Sequence, residues 1–207
     1  MASKNLQELD AMQLSVLREI GNIGSGNAAT ALAGLLDTVI DIEVPNICLI
    51  DYNQVADYLG GADQMAIGMS IHVHGDFHGT MLQILEKDFA SKLVNTFYEK
   101  EIESFEQISE MDMSVLREMA NITTAAYVNS IAQLTGRFIN ISPPKDYVDT
   151  IGAILELPTR EYEGLDYQVL FIDERLFLPN THINCAMILI LDMDSMRALF
   201  ESLGLTL

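Results

Sequence analysis

The chain has 207 residues, 49% of them hydrophobic, enough to bury a substantial core in one large domain or two small ones. Thirty acidic against eleven basic residues leave a formal charge of −19, and a surface that negative repels phosphate backbones and anionic lipid, so no nucleic-acid partner is expected. No stretch reaches the roughly 18 uninterrupted apolar residues of a membrane span, the N-terminus lacks a signal-peptide core, and Cys48 and Cys185 sit in separate apolar runs, as buried free thiols would in a reducing cytoplasm.

Apolar periodicity predicts a long amphipathic helix over Leu9–Leu36. It runs into a strand, Val39–Ile50, and two further strands follow, Met65–Val73 and Thr80–Leu85, joined by a turn at Gly75-Asp76. Glu99, Glu101, Glu103, Glu106 and Glu110 then form an acidic run that reads as a solvated connection. A second long helix is expected over Ile108–Thr135, with strands at Phe138–Ser142, Gln168–Ile172 and Asn184–Leu191. Strand pairs on short turns, with helices between them, predict an α+β fold in which a mostly antiparallel sheet is backed by long helices.

The two halves of the chain match. SVLRE at Ser15–Glu19 recurs at Ser114–Glu118, and a shift of 99 places lays Ser15–Pro45 on Ser114–Pro144 with twelve identities in thirty-one pairs. A shift of 106 lays Met81–Leu93 on Met187–Leu199, each an apolar strand turning into a helix. The chain therefore reads as one domain built from a duplicated unit with pseudo-twofold symmetry, residues 1–105 and 106–207.

At 100° per residue, Val16, Leu17, Ile20 and Ile23 share the expected buried side of the first helix, as Val115, Leu116, Met119 and Ile122 do in the second. Ser15, Glu19 and Asn22 fall together on another side, and so do Ser114, Glu118 and Asn121. The letters after each Asn-Ile diverge, Gly24-Ser25-Gly26-Asn27 against Thr123-Thr124-Ala125-Ala126, while the Ser, Glu and Asn do not. A solvated face would accept Gln, Lys or Asp equally well, and Asn is a poor helix-interior residue. Glu beside Asn, with no His, Cys or Lys at hand, is ill suited to covalent catalysis or metal binding and well suited to holding a water in line with an electrophile.

Other features point elsewhere. His72 and His74 share a strand face near His78, but no further ligand is assured, and no metal site is expected. Gly21, Gly24 and Gly26 follow helical sequence rather than a strand, without GxGxxG or a Walker lysine, and read as close helix packing or a local loosening of the helix.

The pattern Ser, three residues, Glu, two residues, Asn, twenty-two residues, Pro occurs twice, at Ser15, Glu19, Asn22, Pro45 and at Ser114, Glu118, Asn121, Pro144. It resembles the signature of the CheC/CheX/FliY family of phosphatases, which hydrolyse the aspartyl phosphate of the response regulator CheY. GNIGSGNAATAL, VPN, GGAD at Gly60–Asp63 and the closing LGLTL are similar to its CheC branch. The resemblance implies that Asn22 and Asn121 orient the attacking water and that Glu19 and Glu118 pair with a lysine of the regulator. Ser15 and Ser114 would support the helix surface, Pro45 and Pro144 would shape the strand that follows, and the regulator would bring its own Mg²⁺, this chain holding no cofactor. It also implies phosphorylated CheY and the deamidase CheD as partners; a cytoplasmic location is expected from the composition, and a monomer is expected. CheD would bind the stretch Thr123–Gly136, with Tyr127 and Gln133 as contacts. Ala120 stands where the first copy has Gly21: its added methyl could crowd a partner beside Asn121, or, Ala being the better helix former, simply stiffen the helix, and both sites are expected to work. Against the phosphatase reading stand a binder that sequesters CheD or phosphorylated CheY, and a motor-switch scaffold of the FliM kind, which lacks the Glu/Asn pairs.

Overall fold

The elements run α1 (Ala11–Leu36), β1 (Asp41–Asp51), α2 (Val55–Tyr58), β2 (Met65–Gly75), β3 (Gly79–Leu85), α3 (Lys87–Tyr98), α4 (Glu110–Thr135), β4 (Ile139–Ile141), β5 (Lys145–Thr150), α5 (Ile151–Thr159), β6 (Gln168–Leu178), β7 (Thr181–Leu191) and α6 (Met193–Ser202). This computed structural model describes residues 11–159, 168–178 and 181–204, so the expected helix start at Leu9 and most of LGLTL lie outside it. None of the helices among the described residues is long and apolar enough to cross a membrane.

Local chemistry sets the ends of α4. Ser109 accepts from the Asp112 N–H while Asp112 accepts from the Ser109 N–H, a capping box that starts the helix at Glu110 rather than Ile108. Gly136 closes it in the left-handed region, at φ +68°. Burial would raise the Asp112 carboxyl, but hydrogen bonds from Lys100 and Ser109 outweigh it and hold the group below its ordinary value. The five glutamates of the connecting run are all exposed, as expected, and Ile102 between them is buried.

All seven strands form one antiparallel sheet in the order β1-β6-β7-β3-β2-β4, with β5 also on β2. Under the repeat β6 corresponds to β2 and β7 to β3, so the order reads the same from either edge. The first strand of each repeat pairs with the second strand of the other. The copies differ here in their prolines, one in the first and two in the second, where Pro143 replaces Val44. Pro45, lacking an N–H, falls where the β1–β6 register shifts between Glu43 and Asn46. In the second copy Pro143-Pro144 splits the equivalent strand into β4 and β5.

Helices cover both faces. On one, α1 and α4 lie side by side with Leu17, Ile20, Leu116, Met119 and Ile131 against Met69, Ile71, Met81, Met187 and Leu189 of the sheet. On the other, Tyr52, Val55, Ile151, Ile154 and Leu155 cover Leu82, Ile84, Ile188 and Ile190. Strands buried on both faces need no alternation, which is why β3 is buried at all seven positions. Cys185 is buried and Cys48 only half-buried, because Cys48 lies on edge strand β1; both are free thiols.

Gly24 lets the two long helices touch. A Cβ there would stand 2.6 Å from Tyr127 Cδ1, so only a bare α-carbon admits that ring. Helix α1 continues unbroken through Gly24 and Gly26, which decides between close packing and loosening in favour of packing.

Candidate active site on the paired helices

Each helix buries one stripe and exposes another. Leu17, Ile20, Leu116 and Met119 are buried, with Val16, Ile23 and Ile122 half-buried at the margin. Ser15, Glu19 and Asn22 are exposed on α1, as are Ser114 and Glu118 on α4, where Asn121 is half-buried. In the second copy Ser114, Arg117, Glu118 and Asn121 form one wall of an open groove of about 360 Å³, faced by Ile141, Ser142, Pro143 and Pro144. All four residues of the spaced motif thus meet at one place, although 22 residues separate Asn121 from Pro144. In the first copy Pro45 occupies the corresponding place in β1, and Val44 packs against Gly21, beside Asn22.

Arg117 was not singled out from the sequence. Its guanidinium donates to Asp146 Oδ1 on β5 at 2.6 Å and to Glu110 Oε1 at the start of α4, and these hydrogen bonds, Asp146 first, hold it above its ordinary pKa. It ties the helix wall of the groove to the strand that follows Pro144. The first copy has Ala11 and Ile47 at the positions of Glu110 and Asp146, so Arg18 has neither carboxylate to pair with. The signal was present in the R of SVLRE, but its two acids lie outside the matched letters.

Two expectations need correction. Tyr127 is not a surface contact: it is 0% exposed, wedged against Gly24, and its hydroxyl donates to Glu174 Oε1 at 2.5 Å. Ala120 is buried too, so its methyl packs inward and does not crowd the surface at Asn121. Gln133 is exposed, near the end of α4. Under Tyr127, Cys185 Sγ donates to the other Glu174 oxygen at 3.6 Å, and burial pushes the Glu174 carboxyl up to about 7 in spite of both donors. Among the described residues no three His, Cys, Asp or Glu side chains gather as a metal site.

The model of the CheC-like family matches residues 12–49 and 111–145, in each repeat the long helix and the strand after it. Over 200 residues, covering 94% of this chain and 95% of the relative, the sequence is 30% identical to the CheY-P phosphatase CheC of Bacillus subtilis. The chain belongs to the CheC-like family. A second relative, the flagellar motor switch phosphatase FliY of Bacillus subtilis, is 24% identical over 68% of this chain and 36% of its own length. Thermotoga maritima FliY has the same fold, with a TM-score of 0.76 at 21% identity over 95% of this chain and 98% of that one. Within the CheC-like fold the two motif copies lie on the matched segments, their Ser, Glu and Asn on α1 and α4 and their Pro in or beside the strand that follows.

Proposed function

We propose that this chain dephosphorylates the aspartyl phosphate of the chemotaxis response regulator CheY, with one active site on each repeat: Glu19 and Asn22 on α1, Glu118 and Asn121 on α4. The observation that carries this reading is the groove in which Ser114, Glu118, Asn121 and Pro144 converge. The names of the relatives, CheY-P phosphatase and motor switch phosphatase, support the substrate.

An aspartyl phosphate is already activated, so little more is needed than a placed water and a shielded charge. The Asn carboxamide can accept a hydrogen bond from the water through Oδ1 and donate through Nδ2, fixing it in line with phosphorus. The water oxygen bonds to phosphorus as the bond to the aspartyl oxygen breaks. Inorganic phosphate and the free carboxylate leave, and one proton passes to solvent. The Glu carboxylate pairs with the regulator's active-site lysine and holds the two surfaces in register. Mg²⁺ belongs to the regulator and neutralises phosphoryl charge there. Ser15 and Ser114 support the helix surface, and Pro45 and Pro144 position the opposing strand. The same reading places the protein in the cytoplasm as a monomer, with CheD docking near the exposed Gln133 and able to deamidate it; an unchanged mass after incubation with active CheD would remove that step.

Decay of phosphorylated CheY, with and without CheD, tests the reading. Wild-type protein should outpace autohydrolysis, and the double variant Glu19→Ala/Glu118→Ala should fall to it. A wild type no faster than autohydrolysis under either condition would leave a binding protein.

A further inference from the structure

Outside the Ser, Glu and Asn positions the two long helices share another feature. Met12 and Met111 are equivalent under the repeat, and both are exposed, at 68% and 64%. Each heads the stripe that carries the site, followed by Ser after three residues, Glu after seven and Asn after ten. At 100° per residue the four side chains share an arc of about 80°, and Met and Asn are about 15 Å apart along the axis. A single exposed apolar side chain is ordinary. Here, however, the flanking letters differ, Ala11 against Glu110, Gln13 against Asp112 and Leu14 against Met113, while the methionine stands in both copies. Methionine is unbranched and polarizable, fits irregular apolar surfaces, and is enriched at protein interfaces.

We infer that Met12 and Met111 are docking residues, apolar anchors covered by the phosphorylated receiver domain whose phosphoryl group is presented to the Glu/Asn pair about two to three turns further along. This rests on the phosphatase reading of those pairs. Its occupant follows from reach: a domain of about 100 residues is about 30 Å across, so a receiver seated on Glu118 and Asn121 extends over the 15 Å back to Met111. Leu35 and Leu134 form another exposed equivalent pair, at 42% and 36%, but each stands 13 residues past its Asn, about 140° around the helix, and lies outside that footprint.

The test uses full-length protein carrying Asn22→Ala, so that only the second site turns over, and reads both KM and kcat for phosphorylated CheY and Kd for CheY loaded with beryllofluoride. Met111→Gln should raise KM and Kd about fivefold with kcat within about twofold, the loss expected for one partly covered apolar side chain. Met111→Leu should restore both, and Leu134→Gln should match the parent. If Met111→Gln leaves KM and Kd unchanged, or lowers kcat alone, the docking role is overturned while the phosphatase reading stands. If the parent binds but does not hydrolyse, and Met111→Gln still weakens Kd, the phosphatase reading falls alone. A parent that neither binds nor hydrolyses overturns both.

Discussion

At Arg117 the two copies of one pentapeptide part company. The guanidinium reaches Asp146 and Glu110, whereas the first copy has Ile47 and Ala11 at the positions of these two carboxylates, so among the described residues this tie belongs to the second copy. Asp146→Asn should therefore lower kcat/KM about fivefold in an Asn22→Ala background and leave the first site, isolated by Asn121→Ala, unchanged. The pair is partly exposed, so the unfolding free energy read from urea titration should change by less than about 1 kcal/mol. Equal losses at both sites would contradict the tie. The Glu/Asn stripe was legible because helical geometry depends on local spacing alone. The tie was not, because its carboxylates come from a helix start and from β5, where the repeat no longer matches letter for letter. Tyr127 was misread for a related reason: a tyrosine past the site suits surface or core, and Gly24 on the other helix decides which.

Between elements, α1 and α4 meet where Gly24 accepts the Tyr127 ring, and the helices present both stripes from that fixed pairing. Gly24→Ala places a methyl 2.6 Å from the ring and should destabilise by about 1–3 kcal/mol. Gly26→Ala meets nothing within 4 Å on the same helix and should stabilise by about 0.5–1 kcal/mol. Denaturant midpoints of the two variants should thus move in opposite directions, and a shared direction would contradict the packing role. Of the elements themselves, the long helices and six strands were readable from period and repeat. The strand β5 and helix α5 were not read, because KDYVDT alternates weakly on an exposed edge and Pro158 lies inside the helix. Continuing the 99-place shift past Pro144 would have found β5, since Lys145–Thr150 lies on Asn46–Asp51 of β1.

For the whole molecule, the duplication was visible in the sequence but the strand order was not, because each repeat lends its first strand to the other, and β1 finds β6 more than a hundred residues away. At the centre of this exchange Glu174 of β6 lies beneath α4, bonded by Tyr127 and Cys185 and close to the charge of Asp173. The folded state keeps its proton up to about pH 7 and the unfolded chain gives it up near 4.5, so the stabilisation is full below 4.5 and is lost as pH rises through 7. Wild-type stability should fall relative to Glu174→Gln between pH 5 and pH 8; parallel urea midpoints would contradict this.

The central claim, one working site per repeat, is tested most directly by the decay of phosphorylated CheY with wild type, Asn22→Ala, Asn121→Ala and the double variant. Each single variant should keep the turnover of its intact site, with its own altered site reduced ~10²-fold, and the double variant should fall near autohydrolysis. If one single variant abolishes activity and the other changes nothing, only one copy is an active site and the claim is wrong.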